Sequence, residues 1–210
     1  MSRFIQIDLL SDAAFSRGEG KAGLVHVEVE HDELGLPFLG GKTLRGLLHD
    51  SWLSMQHCFP ELAGSAKRIF GREADFDECS IVRIGDAVVD NETRLWIEAA
   101  ENRLHHPIHP DQVLEALTDI RYQTAESRIF GAPEKTTLRS VRVVIRGLKL
   151  QSTLHWLKDP DPEDDLRCLS LSLLATRHAG LGRNRGRGHI RLSLDGDPEK
   201  TIQFAQGGGL

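Results

Sequence analysis

The sequence contains few cysteines and few aromatic residues. Its three cysteines are odd in number and far apart, and none forms the CxxC spacing of a zinc or redox site. This scarcity predicts structural thiols and a reducing compartment, the cytoplasm. Aromatic residues make up 6% of the chain, and the aromatic pair with which RNP-type proteins stack bases is missing. A base-stacking platform is therefore not expected.

Long apolar runs and an excess of positive charge are also missing. The N-terminus, MSRFIQIDLL, has no long apolar core behind a basic start, and no apolar run reaches membrane length. The sequence therefore predicts no membrane partner. The net charge of −5 argues against a surface coated in basic residues for non-specific binding of nucleic acid.

Charge is nevertheless segregated along the chain. Five arginines and no acid lie between residues 177 and 191, whereas five acids and one lysine lie between residues 158 and 165. One face can thus hold a polyanion while the rest of the surface stays acidic.

Hydrophobic periodicity predicts an α+β fold. Apolar alternation predicts a first strand from Phe4, a strand over residues 81–89, two strands broken at Gly147, and a last strand near residues 190–194. Helical spacing predicts one amphipathic helix from Lys42 to about His57 and another carrying Leu166, Leu169, Leu173 and Leu174. Residues 91–137 show no regular pattern. The order matches the βαββαβ outline of a ferredoxin-like or RRM-like domain with an insertion between its middle elements.

The stretch GLPFLGGKTLRG, residues 35–46, looks like a phosphate-binding loop that opens a helix. A Walker loop has four residues between its glycines, whereas five separate Gly35 from Gly41 here. Pro37 also removes an amide donor. A phosphate-loop NTPase is therefore disfavoured. Lys42 and Arg45, in the first predicted helical turn, oppose the helix macrodipole and so indicate an anion nearby.

The segment HAGLGRNRGRGHIRL, residues 178–192, interleaves glycines with arginines between a predicted helix and a predicted strand. Glycine permits close approach of the backbone to a ligand, and guanidinium groups bind phosphate oxygens in pairs. A flexible surface turn is the alternative. The pattern favours binding of a nucleic-acid backbone.

Two further segments concentrate ionisable side chains. Residues 25–30, VHVEVE, alternate strictly and predict a half-exposed strand or extended loop with its valines on one face. The cluster of His105, His106 and His109 lies between prolines. We interpret it as a solvated loop rather than a metal site, because no cysteine or acid at ligand spacing completes it.

Four segments occur in a characteristic order. They are DELGLPFLGGKTLRGLL, RIFG followed by IVRIGDAVV, YQTAESRIFGAPEKTTLRSVRVVIRG, and GLGRNRGRGHIRL. Together they resemble the RAMP (repeat-associated mysterious protein) superfamily of CRISPR-associated proteins, particularly the backbone subunits of type III effector complexes. The resemblance spans about residues 3–195, and the combination is more specific than any one segment.

The resemblance implies a single domain over residues 1–210, with an RRM-like core, a thumb inserted at about residues 91–139 and a glycine-rich loop at residues 180–188. It implies a subunit that polymerises along a CRISPR guide RNA and whose thumb kinks the guide–target duplex. The implied partners are guide RNA, target RNA, other effector subunits and further copies of the chain. Implied RNA contacts are Gly40, Gly41, Lys42 and Arg45 at the helix start, Gly182, Arg183, Arg185, Gly186 and Arg187 in the loop, and Arg139.

Catalysis is where the sequence departs from the family. Cleaving subunits carry an Asp about six residues ahead of the family Asp that matches Asp32, and this position is His26 here. The candidate catalytic set is therefore Asp32, His26, Glu28 and Glu30, which can deprotonate a 2′-hydroxyl or hold Mg²⁺ or another divalent ion. Solvated polar residues in a purely structural subunit are an equally good interpretation. A stand-alone guide-processing endoribonuclease, with His26 or His31 as general base, is another alternative.

Overall fold

The chain folds into strands and helices in the computed structural model, which describes residues 4–16, 18, 20, 25–71, 80–103, 105–125, 131 and 137–208. The elements are β1 (Phe4–Leu9), α1 (Gly41–Met55), α2 (Ala63–Phe70), β2 (Val82–Val88), α3 (Asn91–Glu101), α4 (Pro110–Leu117), β3 (Thr118–Gln123), β4 (Arg139–Val144), β5 (Lys149–Trp156), α5 (Asp165–Ala175), β6 (Ile190–Leu194) and α6 (Pro198–Ala205). None of the helices in these ranges is long and apolar enough to cross a membrane.

Four strands form an antiparallel sheet in the order β2-β5-β1-β6. In the central strand β1, Ile5, Ile7 and Leu9 are buried and alternate with half-buried residues. Counted along the βαββαβ pattern, β1, β2, β5 and β6 are its first to fourth strands. The observed neighbours are those of a ferredoxin-like sheet, and the predicted α+β class is confirmed.

Helices α1 and α5 pack against each other, and they also contact β2 and β6 respectively. Both contribute to one continuous apolar core. In α5, Leu166, Leu169 and Leu173 are buried, but Leu174 is 37% exposed. The prediction for Leu174 was wrong because each helical step turns by about 100°, which carries it off the stripe that ends at Leu173.

The segment between β2 and β5, residues 89–148, holds three elements that its irregular pattern did not predict: α3, α4 and β3. The predicted thumb limits, 91 and 139, fall at the first residues of α3 and β4, and the assignment of a thumb stays a prediction. Strand β4 pairs with β3 in a separate two-stranded sheet. The two strands predicted around Gly147 therefore belong to different sheets and do not form a hairpin.

The short helices outside the predicted pattern have clear capping signals. The Asp90 carboxylate accepts the Thr93 N–H at 2.9 Å where α3 begins, and the Asp197 carboxylate accepts the Lys200 N–H at 3.0 Å where α6 begins. Phe204 of α6 is buried in the core. Caps rather than periodicity mark these helices, because only two or three turns are present.

The cysteines within the described ranges differ in exposure. Cys58 is exposed, whereas Cys168 is buried in α5. Burial, together with the negative charge of Asp165, raises the pKa of the Cys168 thiol to about 12. Cys168 is thus a structural thiol, while Cys79 lies outside the described residues.

The first residue of α1 lies directly against the backbone of β2. A Cβ on Gly41 would lie 2.4 Å from the carbonyl oxygen of Ile84 and 2.6 Å from that of Gly85, so only glycine fits there. The Asp86 carboxylate accepts the Gly41 N–H at 2.7 Å. It supplies the cap that Gly40, at the N-cap position, cannot provide.

We expect Gly41→Ala to lower the free energy of unfolding by about 1–3 kcal/mol, because the methyl group collides with backbone that cannot move away. Gly46→Ala is the matched control in the same helix, since a Cβ there meets nothing within 4 Å. It should raise stability by about 0.5–1 kcal/mol. Urea unfolding followed by circular dichroism measures both. Equal effects of the two substitutions would contradict this packing account.

Candidate nucleic-acid interface

A cleft of about 830 Å³ lies where the start of α1 faces the glycine-rich loop. Two cations, Lys42 and Arg183, and two carboxylates, Glu30 and Asp86, contribute to its wall. Apolar side chains such as Phe15, the hydroxyl residues Ser16 and Thr43, and glycines form the rest. The cleft therefore joins two segments that lie far apart in the sequence and that both resemble RNA-binding motifs.

The two ends of the glycine-rich loop are held together. The Ala179 N–H donates to the Gly188 carbonyl oxygen at 2.9 Å, and the rings of His178 and His189 stack with centroids 5.3 Å apart. Gly188 has a φ of +70°, and a Cβ there would lie 2.0 Å from the carbonyl oxygen of Ala179. Glycine at this position is a requirement of loop closure.

The tip of the loop is one 3-10 turn, Arg183–Arg185, held between two glycines in left-handed conformation, Gly182 and Gly186. Both arginines are exposed, and Arg187 is half-buried. The glycines thus set the shape of a turn that presents guanidinium groups to solvent.

The two tip arginines extend in different directions. Arg183 lines the cleft, whereas Arg185 donates to the side-chain oxygen of Gln123 in β3 at 3.3 Å. Gln123 lies opposite Arg139 in the β3–β4 ladder, and opposed residues share one face of a sheet. Arg139 is exposed. The loop therefore connects the cleft with a basic position of the insertion.

The helix-start residues have distinct surroundings. Lys42 is exposed and lines the cleft, as does Gly40. Gly41 packs on β2, and its N–H is already bound to Asp86. The Arg45 guanidinium donates to the carbonyl oxygen of Phe70, the last residue of α2, at 2.6 Å. Lys42 is thus the helix-start cation at the cleft, and Arg45 also has a structural role at the negative end of α2.

Two candidate catalytic residues are bound to β4. Residues 25–30 form an extended loop joined to β4 by a parallel bridge. Nδ1 of His26 accepts the Ser140 N–H at 3.0 Å, which places the proton of a neutral imidazole on Nε2. Glu28 forms an ion pair with the buried Arg142, with Oε1 2.8 Å from Nε.

Asp32 closes the turn that precedes α1. Its Oδ1 accepts the N–H groups of Leu34 at 3.0 Å and Leu36 at 2.9 Å, and its Oδ2 pairs with Arg94 of α3 at 2.5 Å. The hydrogen bond that the Arg94 guanidinium donates to the Asp32 carboxylate is the main reason that the pKa of Arg94 is raised above its ordinary value. Asp32 thereby ties the turn to the insertion.

Only Glu30 of the candidate catalytic set lines the cleft. The neighbouring His31 is exposed, and its Nδ1 lies 3.0 Å from the carbonyl oxygen of Asp32, to which it must donate. Its Nε2 is then an acceptor, as a general base requires. Within the described ranges, no three or more His, Cys, Asp or Glu side chains are grouped so as to hold a metal ion. The exposed histidines 105, 106 and 109 do not form such a group.

Asp86 and Arg94 are site residues that the sequence did not single out. The signal for Asp86 was the strand IVRIGDAVV, whose Asp-Ala ending is part of the family resemblance. Arg94 carried no comparable signal, because its pairing with Asp32 depends on how α3 packs beside the turn.

Asp32→Ala should lower the free energy of unfolding by about 1–3 kcal/mol, because two backbone N–H groups lose their acceptor and the Arg94 guanidinium loses one of its two carboxylate partners, keeping Glu98. Glu33→Ala, at an exposed neighbouring position, is the control and should stay within about 0.5 kcal/mol of the parent. Urea titration of the three proteins measures the effect. An Asp32 variant as stable as the parent would show that the turn does not depend on this carboxylate.

Comparisons with known proteins bear on the family and the fold. The model of the RAMP superfamily matches residues 6–191. A chain in a cryo-EM structure of Type III-B Cmr-beta bound to cognate target RNA is 13% identical, with a TM-score of 0.67 over 91% of this chain and 96% of that chain. A chain of the apo state of Type III-B Cmr-beta is 12% identical, with a TM-score of 0.67 over 94% and 98%. These likenesses establish a shared fold, and no curated protein matches the sequence.

Proposed function

The chain belongs to the RAMP superfamily, and on that premise we propose that it is an RNA-binding backbone subunit of a CRISPR-associated type III effector complex in the cytoplasm. Its partners are guide RNA, target RNA, other effector subunits and further copies of itself. The observation that carries the proposal is the convergence of Lys42 and Arg183 on one cleft.

The cations at and beside the cleft suit a phosphate backbone. Four cations are exposed: Lys42, Arg183, Arg185 and Arg139. The contact between Arg185 and Gln123 links the cations of the loop to the one in the insertion. Guanidinium groups bind phosphate oxygens in pairs, while an ammonium acts as a compact charge. Recognition of this kind is independent of sequence and leaves base pairing to select the target.

The distribution of charge supports a localised interface. The net charge of the chain is −5, so attraction of RNA depends on places where cations are concentrated. The chain shares its fold with Cmr-beta chains over nearly their whole length. This likeness supports the proposal that the chain assembles with other effector subunits.

Binding rather than cleavage is the function that the site supports. Of the four candidate catalytic residues, His26, Glu28 and Asp32 hold β4 or α3 in place. Cleavage is tested by incubating the assembled complex with guide-matched RNA and Mg²⁺. Periodic cuts that His26→Ala or Glu30→Ala abolishes would overturn a purely structural role.

Binding of single-stranded RNA to the purified chain should weaken steeply with salt. In a plot of log binding constant against log salt concentration, each phosphate contacted contributes about −0.7 to the slope. Lys42→Ala and Arg183→Ala should each weaken binding and reduce the slope by about 0.7, because each removes one phosphate contact. Fluorescence anisotropy with labelled RNA across a salt series measures both quantities.

Lys158→Ala is the matched control for these variants, since Lys158 is exposed and lies outside the cleft. It should leave the affinity and the slope unchanged. Loss of affinity in all three variants to the same extent would indicate a diffuse electrostatic attraction and contradict a localised interface.

A further inference from the structure

The cleft contains negative charge that a site for phosphate alone does not need. Glu30 and Asp86 lie in the same wall as Lys42 and Arg183. A phosphate placed beside either carboxylate would be repelled. The carboxylates therefore suggest that the cleft also receives a hydrogen-bond donor.

Three oxygen atoms lie close to one point beside Gly40. This point, where a Cβ of residue 40 would lie, is 3.8 Å from Thr43 Oγ1, 3.9 Å from Glu30 Oε2 and 4.0 Å from Asp86 Oδ1. We call Glu30, Gly40, Thr43 and Asp86 the oxygen corner. Its composition favours a small donor such as a hydroxyl group.

The fold itself does not require a glycine at position 40. Its φ of −58° and ψ of 135° suit any residue, and the three distances are ordinary van der Waals contacts for a methyl group. Gly41, by contrast, has no room for a side chain. The absence of a side chain at Gly40 leaves the oxygen corner open, and packing does not require that absence.

Asp86 is held in place with acceptor capacity to spare. Its Oδ1 accepts the Gly41 N–H at 2.7 Å, while an ionised carboxylate offers about four acceptor sites over its two oxygens. The side chain is exposed at the cleft. Fixed acceptors of this kind lose little entropy when a donor binds.

We propose that the oxygen corner binds a ribose 2′-hydroxyl and thereby makes the cleft selective for RNA over DNA, while Lys42 and Arg183 hold neighbouring phosphates. The proposal rests on the proposed function, because a nucleic-acid backbone must occupy the cleft. The 2′-hydroxyl is the group that distinguishes the two backbones, and a site that hydrogen-bonds a hydroxyl discriminates against a ligand that lacks it.

The test compares three short single strands of identical base sequence: RNA, DNA and 2′-O-methyl RNA. The DNA strand carries uracil in place of thymine, so that the strands differ only at the 2′ position. Anisotropy measures their affinities for the full chain in EDTA at low salt. We expect RNA to bind about tenfold more tightly than DNA, since one hydrogen bond to a charged acceptor is at stake. The 2′-O-methyl strand, which cannot donate, should bind like DNA.

Two variants address the oxygen corner by different routes. Gly40→Ala fills it with a methyl group, and Asp86→Asn removes a charge while its amide oxygen still accepts the Gly41 N–H. Both should bring the RNA-to-DNA affinity ratio close to one. Gly40→Ala does so by weakening RNA binding specifically, whereas Asp86→Asn exchanges a charged acceptor for a weaker neutral one and also raises the affinity for DNA, because a negative charge beside the phosphates is removed. Gly46→Ala, in the open part of the same helix, should keep the parent ratio.

Three outcomes would overturn the proposal while leaving RNA binding intact: equal affinities of the parent for RNA and DNA, variants that change both affinities by one factor, or a preference that arises only after Mg²⁺ is added. The second outcome would show that Asp86 acts only as a helix cap, and the third outcome would indicate that a cation binds in the oxygen corner. Absence of binding to every strand would instead refute the proposed function.

Discussion

The contact between the start of α1 and the backbone of β2 is the constraint on which the cleft depends. Gly41 brings the helix close to the carbonyl groups of Ile84 and Gly85, and Asp86 binds the Gly41 N–H. The sequence indicated an anion near the basic first turn of this helix, and the structure supplies one from its own chain. The Asp86 carboxylate offsets the unfavourable placement of Lys42 at the positive end of the macrodipole. Lys42 directly follows Gly41 and lines the cleft.

A second set of contacts ties the loop before α1 to the insertion. His26 is bonded to β4 through Ser140, Glu28 pairs with Arg142, and Asp32 pairs with Arg94. Arg142 is buried and also donates to Thr118 at 3.1 Å, so removal of Glu28 would leave a buried charge without its counter-ion, which is costly. These three contacts join the loop before α1 to the insertion.

The sequence predicted the elements that carry long periodic patterns. Strands β1 and β6 and helices α1 and α5 bury regular apolar stripes, which are visible without knowledge of their neighbours. Helices α3 and α6 are short and depend on caps at Asp90 and Asp197, which signal a helix start but not its extent. For the site, motif resemblance singled out the helix start and the glycine-rich loop, and both of them line the cleft. It did not reveal Asp86 or the partner of Arg45, because those contacts follow from tertiary packing.

The central claim is that RNA lies in the cleft between the start of α1 and the glycine-rich loop. Amide hydrogen exchange of the full chain, with and without a saturating single-stranded RNA, tests it most directly, because local protection reports which backbone segments the ligand covers. The account predicts that residues 40–47 and 180–188 become protected together, at the same RNA concentration. Protection confined to other surfaces, with both segments exchanging as in the RNA-free chain, would contradict it.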